Sequence, residues 1–203
     1  MLQGLQIVFS VFFLTLIVSI PLGVIICALQ LSKNKISNYI AKTYILLFRG
    51  TPLLLQLIFI FYGLPLIGVV FNRFTVAILA FTLNYSAYFA EIFRGGIESI
   101  DKGQYEACLV LGLDKISIYK NIFIPQVIKR ILAPMSNEVI TLIKDTSLVY
   151  ILGLNDILRV AQIASNRTLS LLPLIEVGFI YLGLVLILSN IFKTLERKYS
   201  YYR

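Results

Sequence analysis

The chain has 203 residues, of which 59% are hydrophobic and 14% charged, with a formal net charge of +8. With a mean hydropathy of +0.89 and several long apolar runs, this composition excludes a soluble domain and predicts an all-α, polytopic membrane protein. There is no His, and Cys27 and Cys108 lie in unlike surroundings, so neither a metal site nor a disulfide is indicated; the basic excess reads as a topology signal and not as nucleic-acid binding.

Five spans are predicted: Leu5–Leu31, Thr51–Val70, Phe74–Phe93, Val127–Leu152 and Leu171–Thr194. At about 1.5 Å per residue, each is long enough to cross a hydrocarbon core of about 30 Å. The first starts without a basic region or a small-residue cleavage site, so it reads as a span and not a signal peptide. If the amino terminus faces out, fourteen Lys and Arg fall inside, in the stretches Lys33–Arg49, Arg94–Arg130 and Lys193–Arg203. Only Arg73, Arg159 and Arg167 fall outside, and Lys144 lies within the fourth span. This asymmetry places the carboxyl terminus in the cytosol.

Between the first two spans, Ser32–Arg49 is polar and then helical, with Ile36, Tyr39, Ile40, Thr43, Tyr44 and Leu47 on one face. It is expected to pack along the inner face of the bundle. RGTPLLLQL, Arg49–Leu57, follows. Gly50 and Pro52 should break the incoming helix, and Pro52 suits the first turn of the next. In the third span, Asn84, Tyr85 and Ser86 fall near the middle, where unpaired polar groups are costly. Asn84 suits either a link between helices or a cavity contact, and Glu91 can pair with Arg94 at i+3.

The long polar interruption Arg94–Gln126 reads as a small helical module at the membrane surface. Asp101 and Gln104 have the form of a capping box that starts a helix at Lys102, and Gly112 is placed to end it. Leu109, Val110, Leu111 and Leu113 crowd apolar surface onto a helix too short to be stable alone, so it should be buried against something. Pro125 is expected to halt the module and let a new helix begin. From these residues alone, a helix lying in the headgroup layer is the alternative.

In the fourth span, NEVITLIKDTSL, Glu138 lies 13 residues after Pro125. That is about 20 Å up a helix and so near the midplane, and Asp145 lies two turns, about 10 Å, further out on the same face. Thr141 sits between them. Carboxylates at such depth are expensive, so they need water, a cation or both, which points to a wet cavity suited to a cationic ligand group. Bridges to basic residues of a neighbouring helix are the structural alternative. Lys144 points about 100° away from Asp145 and is expected to meet another helix. The outer segment Gly153–Ser170 is amphipathic and reads as half helical.

Three strings in order, RGTP, EACLVLG with IFIP, and KDTSL, resemble the permease subunits of ABC importers of the polar amino-acid (histidine, glutamine and arginine) type. EACLVLG, Glu106–Gly112, with IFIP, Ile122–Pro125, resembles their EAA loop, with Cys108 in place of a third small residue and Ile124 in place of Leu. The resemblance implies one permease domain over residues 1–203 carrying a cytosolic coupling loop at 101–125, in a bacterial cytoplasmic membrane. It also implies that Glu106, Ala107, Cys108 and Gly112 engage a separate ATPase subunit. No phosphate-cradling glycine loop is seen in this sequence, so ATP and Mg are expected on that subunit and no cofactor in this chain. Further implied partners are a second permease, identical or related, an extracytoplasmic amino-acid-binding protein, and membrane lipid. The amino acid itself is expected to meet Glu138, Asp145, Asn84, Ser86 and Thr141. An ion-gradient-driven amino-acid transporter or exporter is the rival reading, although the internal repeats common in such proteins are not seen.

Overall fold

The computed structural model describes residues 1–199, which form helices and no strand. The helices are α1 (Leu2–Gln30), α2 (Lys35–Gly50), α3 (Leu53–Leu66), α4 (Arg73–Glu98), α5 (Lys102–Val110), α6 (Lys115–Ser117), α7 (Ile124–Asp145), α8 (Ile157–Thr168) and α9 (Leu172–Lys198). A π turn, Ile118–Phe123, joins α6 to α7, and a 3-10 segment, Thr146–Leu152, follows α7. Arg203 of the basic tail lies outside the described residues.

The centre of the bundle is α4, against which α1, α2, α3 and α7 all pack. Its contact with α1 is made by small residues: Thr15, Ser19, Gly23 and Cys27 of α1, four apart, are all buried. A Cβ on Gly23 would lie 2.8 Å from Phe89 Cβ and 3.2 Å from the Ser86 carbonyl oxygen, so the two backbones approach as closely as a glycine permits. The core then fills with Val8, Val11, Phe81, Phe89, Leu142 and Ile157. At the periphery, α9 packs on α7 and α8, and of its residues only Val177 is buried.

Three helices, α1, α4 and α9, are each long and apolar enough to cross a membrane, and up to five spans result if each bent pair counts as one. The second span, predicted over Thr51–Val70, is a helix of only 14 residues that follows α2 through a bend of 103°. The third runs past Phe93 to Glu98, so that Gly95 and Gly96 lie within α4 and not beyond it.

Pro125 does not halt the chain as the sequence led us to expect. The helical path runs from Lys115 through the π turn into α7, with the Ile124 N–H reaching back to the Tyr119 carbonyl. The widened turn ahead of Pro125 accommodates a residue that lacks an N–H. The capping box is half made. Asp101 Oδ1 accepts the Gly103 N–H at 2.7 Å, but Gln104 Oε1 accepts from Gln126 Nε2 at 3.1 Å across to α7 instead of returning to residue 101. Gly112 does end α5, at φ +75°. There the Leu113 N–H bonds the Cys108 carbonyl at 3.1 Å and the Gly112 N–H bonds the Leu109 carbonyl at 3.0 Å, the two bonds of a glycine-terminated helix.

Candidate functional site

The site begins at the break between α2 and α3. Thr51, preceding a proline, is extended at φ −122° and ψ 145°, as is Pro52 at φ −62° and ψ 135°. The carbonyls this frees are taken up by side chains. The Phe48 carbonyl accepts from Asn84 Nδ2 and from Gln56 Nε2, each at 2.9 Å. Gln56 Nε2 also reaches the Thr51 carbonyl at 3.1 Å, and the Thr51 hydroxyl donates to the Leu47 carbonyl at 2.8 Å. Irregular backbone is tolerated among membrane helices where such partners exist or where it lines a cavity, and both hold here.

That cavity, of about 430 Å³, is lined by the break itself, Arg49 to Leu53, by Asn84, Tyr85 and Tyr88 of α4, and by Glu138, Thr141 and Asp145 of α7. Four of the five residues expected to meet a ligand are thus brought together. Ser86 is not among them. It is fully buried against α2, where its Oγ lies 2.8 Å from the Tyr44 hydroxyl and also donates to the Leu83 carbonyl. Asn84 fulfils both of its open roles, since it ties the break and also faces the cavity.

The two carboxylates keep the order along α7 that the sequence led us to expect. Asp145 Oδ2 accepts a hydrogen bond from the Tyr85 hydroxyl at 2.8 Å, and Tyr85 stands halfway along the 26-residue α4. α7 runs antiparallel to α4, with Val127 and Ile131 against Gly96, so Glu138 lies two turns, about 10 Å, closer than Asp145 to the carboxyl-terminal end of α4.

Arg49, Tyr85 and Tyr88 were not singled out as lining residues. The Arg49 guanidinium stacks over the Tyr88 ring at 5.1 Å and pairs with Glu91 Oε2 at 3.3 Å. Glu91 also receives Arg94 Nη2 at 2.8 Å and Gln30 Nε2 at 2.7 Å, and Arg94 reaches on to Glu98. This network joins α1, α2 and α4 around a second, more open cavity of about 830 Å³. Arg49 lines both cavities. The signal for it was the RGTP string, in which the cation is fixed next to the break.

The α5 module is held on one side only. Cys108 is buried against the start of α7, and Tyr105 packs with Tyr119 and Phe123 at ring separations of 6.2 and 6.1 Å. Glu106, Ala107 and Gly112 are exposed. Val110 and Leu111, expected to be buried, are 88% and 78% exposed, so the chain alone does not cover this apolar surface. Asp114 caps the next helix through Ser117, and that hydrogen bond holds its carboxyl below the ordinary carboxylate range.

Residues 19–201 match the family described as binding-protein-dependent transport system inner membrane component. The chain is 41% identical over 199 residues to the arginine transport system permease protein ArtQ of Bacillus subtilis (strain 168), covering 97% of this chain and 91% of that one. It is 36% identical over 198 residues to the putative glutamine transport system permease protein GlnP of Rickettsia bellii (strain RML369-C), with the same coverage of 97% and 91%. Among solved structures, an amino acid ABC transporter crystallised with histidines superposes with a TM-score of 0.89 at 35% identity, over 97% of this chain and 92% of that one. Fold, motifs and relatives agree, and the chain belongs to the binding-protein-dependent transport system inner membrane component family as an amino-acid ABC transporter permease subunit.

Proposed function

We propose that this permease imports polar, basic amino acids by alternating access driven by a separate ATPase subunit. The observation that carries the reading is the meeting of Glu138 and Asp145 in one cavity beside the α2–α3 break. Two carboxylates and a set of hydroxyl and amide groups suit a ligand with a cationic side chain, and a cavity of about 430 Å³ falls in the usual range for a small-molecule site. The relative named for arginine transport points the same way.

In this reading residues 1–203 form one permease domain and 101–125 its coupling loop, with Glu106, Ala107, Cys108 and Gly112 at the contact with the ATPase. ATP and Mg bind on that subunit. ATPase closure displaces α5, the displacement passes through the π turn into α7, and the cavity opens first to one side and then to the other. The amino terminus faces out and the carboxyl terminus the cytosol, as the Lys and Arg distribution favours. A second permease completes the route, and an extracytoplasmic amino-acid-binding protein delivers the ligand to the α8 side.

Purification of the tagged chain from its native membrane, followed by mass spectrometry of bound proteins and small molecules, tests this. An ATPase subunit and a basic amino acid are expected. Recovery with neither, from membranes in which both are present, overturns the reading.

A further inference from the structure

The cavity beside the α2–α3 break holds charges of both signs. Glu138 and Asp145 face it from α7, and Arg49 is the one cation that lines it among the described residues. Tyr85, which donates to Asp145, and Tyr88, over which Arg49 stacks, lie one turn apart on α4 with ring centroids 6.3 Å apart. Opposite charges thus stand beside neighbouring positions of one helix face. Yet among the described residues no ion pair joins Arg49 to Glu138 or to Asp145. A cation in a cavity suited to a cationic ligand calls for a partner of its own.

The Tyr88 ring and Glu91 Oε2 hold Arg49 in place, and it donates no hydrogen bond among the described residues. A guanidinium stacked on a ring keeps an N–H edge that can take a carboxylate in two parallel bonds. The break supplies further donors. The carbonyls at the end of α2 are taken up by Asn84, Gln56 and Thr51, whereas no side chain caps the 14-residue α3. Its first N–H groups, from Leu53 onward, have no partner within the helix. Pro52 and Leu53 line the cavity together with Arg49, so the positive end of the α3 dipole and the guanidinium share one wall. Such a wall suits an anion.

We infer that Arg49, with the first turn of α3, binds the α-carboxylate of the transported amino acid, while Glu138 and Asp145 take its cationic groups. The inference rests on the reading of this cavity as a site for basic amino acids. Such a ligand carries one carboxylate and two cations, and the cavity presents one guanidinium and two carboxylates, so each charge meets its opposite. Arg49 also sets what the cavity refuses. A diamine satisfies both carboxylates but brings nothing to Arg49, and it faces an uncompensated like charge. Arg49 therefore selects basic amino acids over amines of the same length.

The test titrates the purified, assembled transporter with arginine and with agmatine, which keeps both cations of arginine and lacks only its carboxyl group. Wild type should bind arginine roughly ten- to a hundredfold more tightly than agmatine, the range of a charge-assisted hydrogen bond. Arg49→Gln should weaken arginine by that order and leave agmatine unchanged or tighter, so that the preference collapses. Arg49→Lys, which keeps the charge but not the planar fork, should fall between the two. A merely structural role would weaken both ligands alike and preserve their ratio. A ratio preserved in Arg49→Gln overturns the carboxylate assignment and leaves the basic amino-acid reading standing. Agmatine binding as tightly as arginine in wild type does the same, and needs no variant to fold. If wild type binds neither ligand, the reading of the cavity falls and the inference with it.

Discussion

The Tyr85 hydroxyl donates to Asp145 Oδ2 at 2.8 Å, joining the centre of α4 to the end of α7. This bond ties the two helices together beside the cavity, and Asp145 Oδ1 takes no hydrogen bond among the described residues. Replacing Tyr85 with Phe keeps the ring packed against Phe81 and Phe89 and removes only the donor. A part-buried acceptor left without its donor costs about 1–3 kcal/mol. Arginine affinity in the Tyr85→Phe transporter should fall several-fold with yield unchanged; an unaltered affinity would separate the bond from ligand binding.

The carboxylates themselves give a sharper contrast. Charge-assisted hydrogen bonds contribute about 1.5–3 kcal/mol, which corresponds to roughly ten- to a hundredfold in affinity. Glu138→Gln and Asp145→Asn should each weaken binding of arginine, lysine and histidine by that order in an equilibrium binding assay. Unchanged affinity for all three in both variants would remove the ligand role and leave these groups as structural.

Much of this was legible in the residues. Gly50 and Pro52 announced the break, because the Pro52 ring disfavours a helical conformation at Thr51, and Gly112 announced the end of α5 through the left-handed turn it adopts. The Glu91–Arg94 pair followed from i+3 spacing. What spacing could not supply was direction across helices. Ser86 stands two residues from Asn84, yet it turns to Tyr44 while Asn84 turns to the break. Arg49 looked like one more inner-face cation until the 103° bend carried it between two cavities. Pro125 looked like a stop because a π turn leaves no mark in hydrophobic periodicity.

Glu91 should matter to stability more than an ordinary surface acid. The side chains of Arg49, Arg94 and Glu91 are 40%, 31% and 19% exposed, between the solvated and buried limits, and Gln30 adds a fourth member. Removing the shared carboxylate leaves Arg94 with Glu98 alone and Arg49 with only the Tyr88 ring, at a cost of about 1–2 kcal/mol once solvent screening is allowed for. Thermal unfolding of detergent-solubilised Glu91→Ala should begin a few degrees below wild type. An unshifted transition would show that the network does not hold α2 against α4.

Gly112 separates backbone strain from side-chain contact. At φ +75° with open space around it, a Cβ meets no neighbour, so the penalty is conformational alone. Placing an L-residue there costs about 1–2 kcal/mol, and Asn tolerates the region better than a β-branched residue. Gly112→Val should therefore lower permease-stimulated ATPase activity and uptake together, with Gly112→Asn falling between it and wild type. Full stimulation and uptake in the Val variant would break the link between the α5 termination and coupling.

The most direct measurement reconstitutes the chain in liposomes with and without its ATPase subunit and follows radiolabelled arginine. Accumulation that requires the ATPase, Mg and ATP together, and that stops when the ATPase is left out, is the expected result. Concentrative uptake by this chain alone, driven by an ion gradient in vesicles lacking any ATPase, would contradict the central claim.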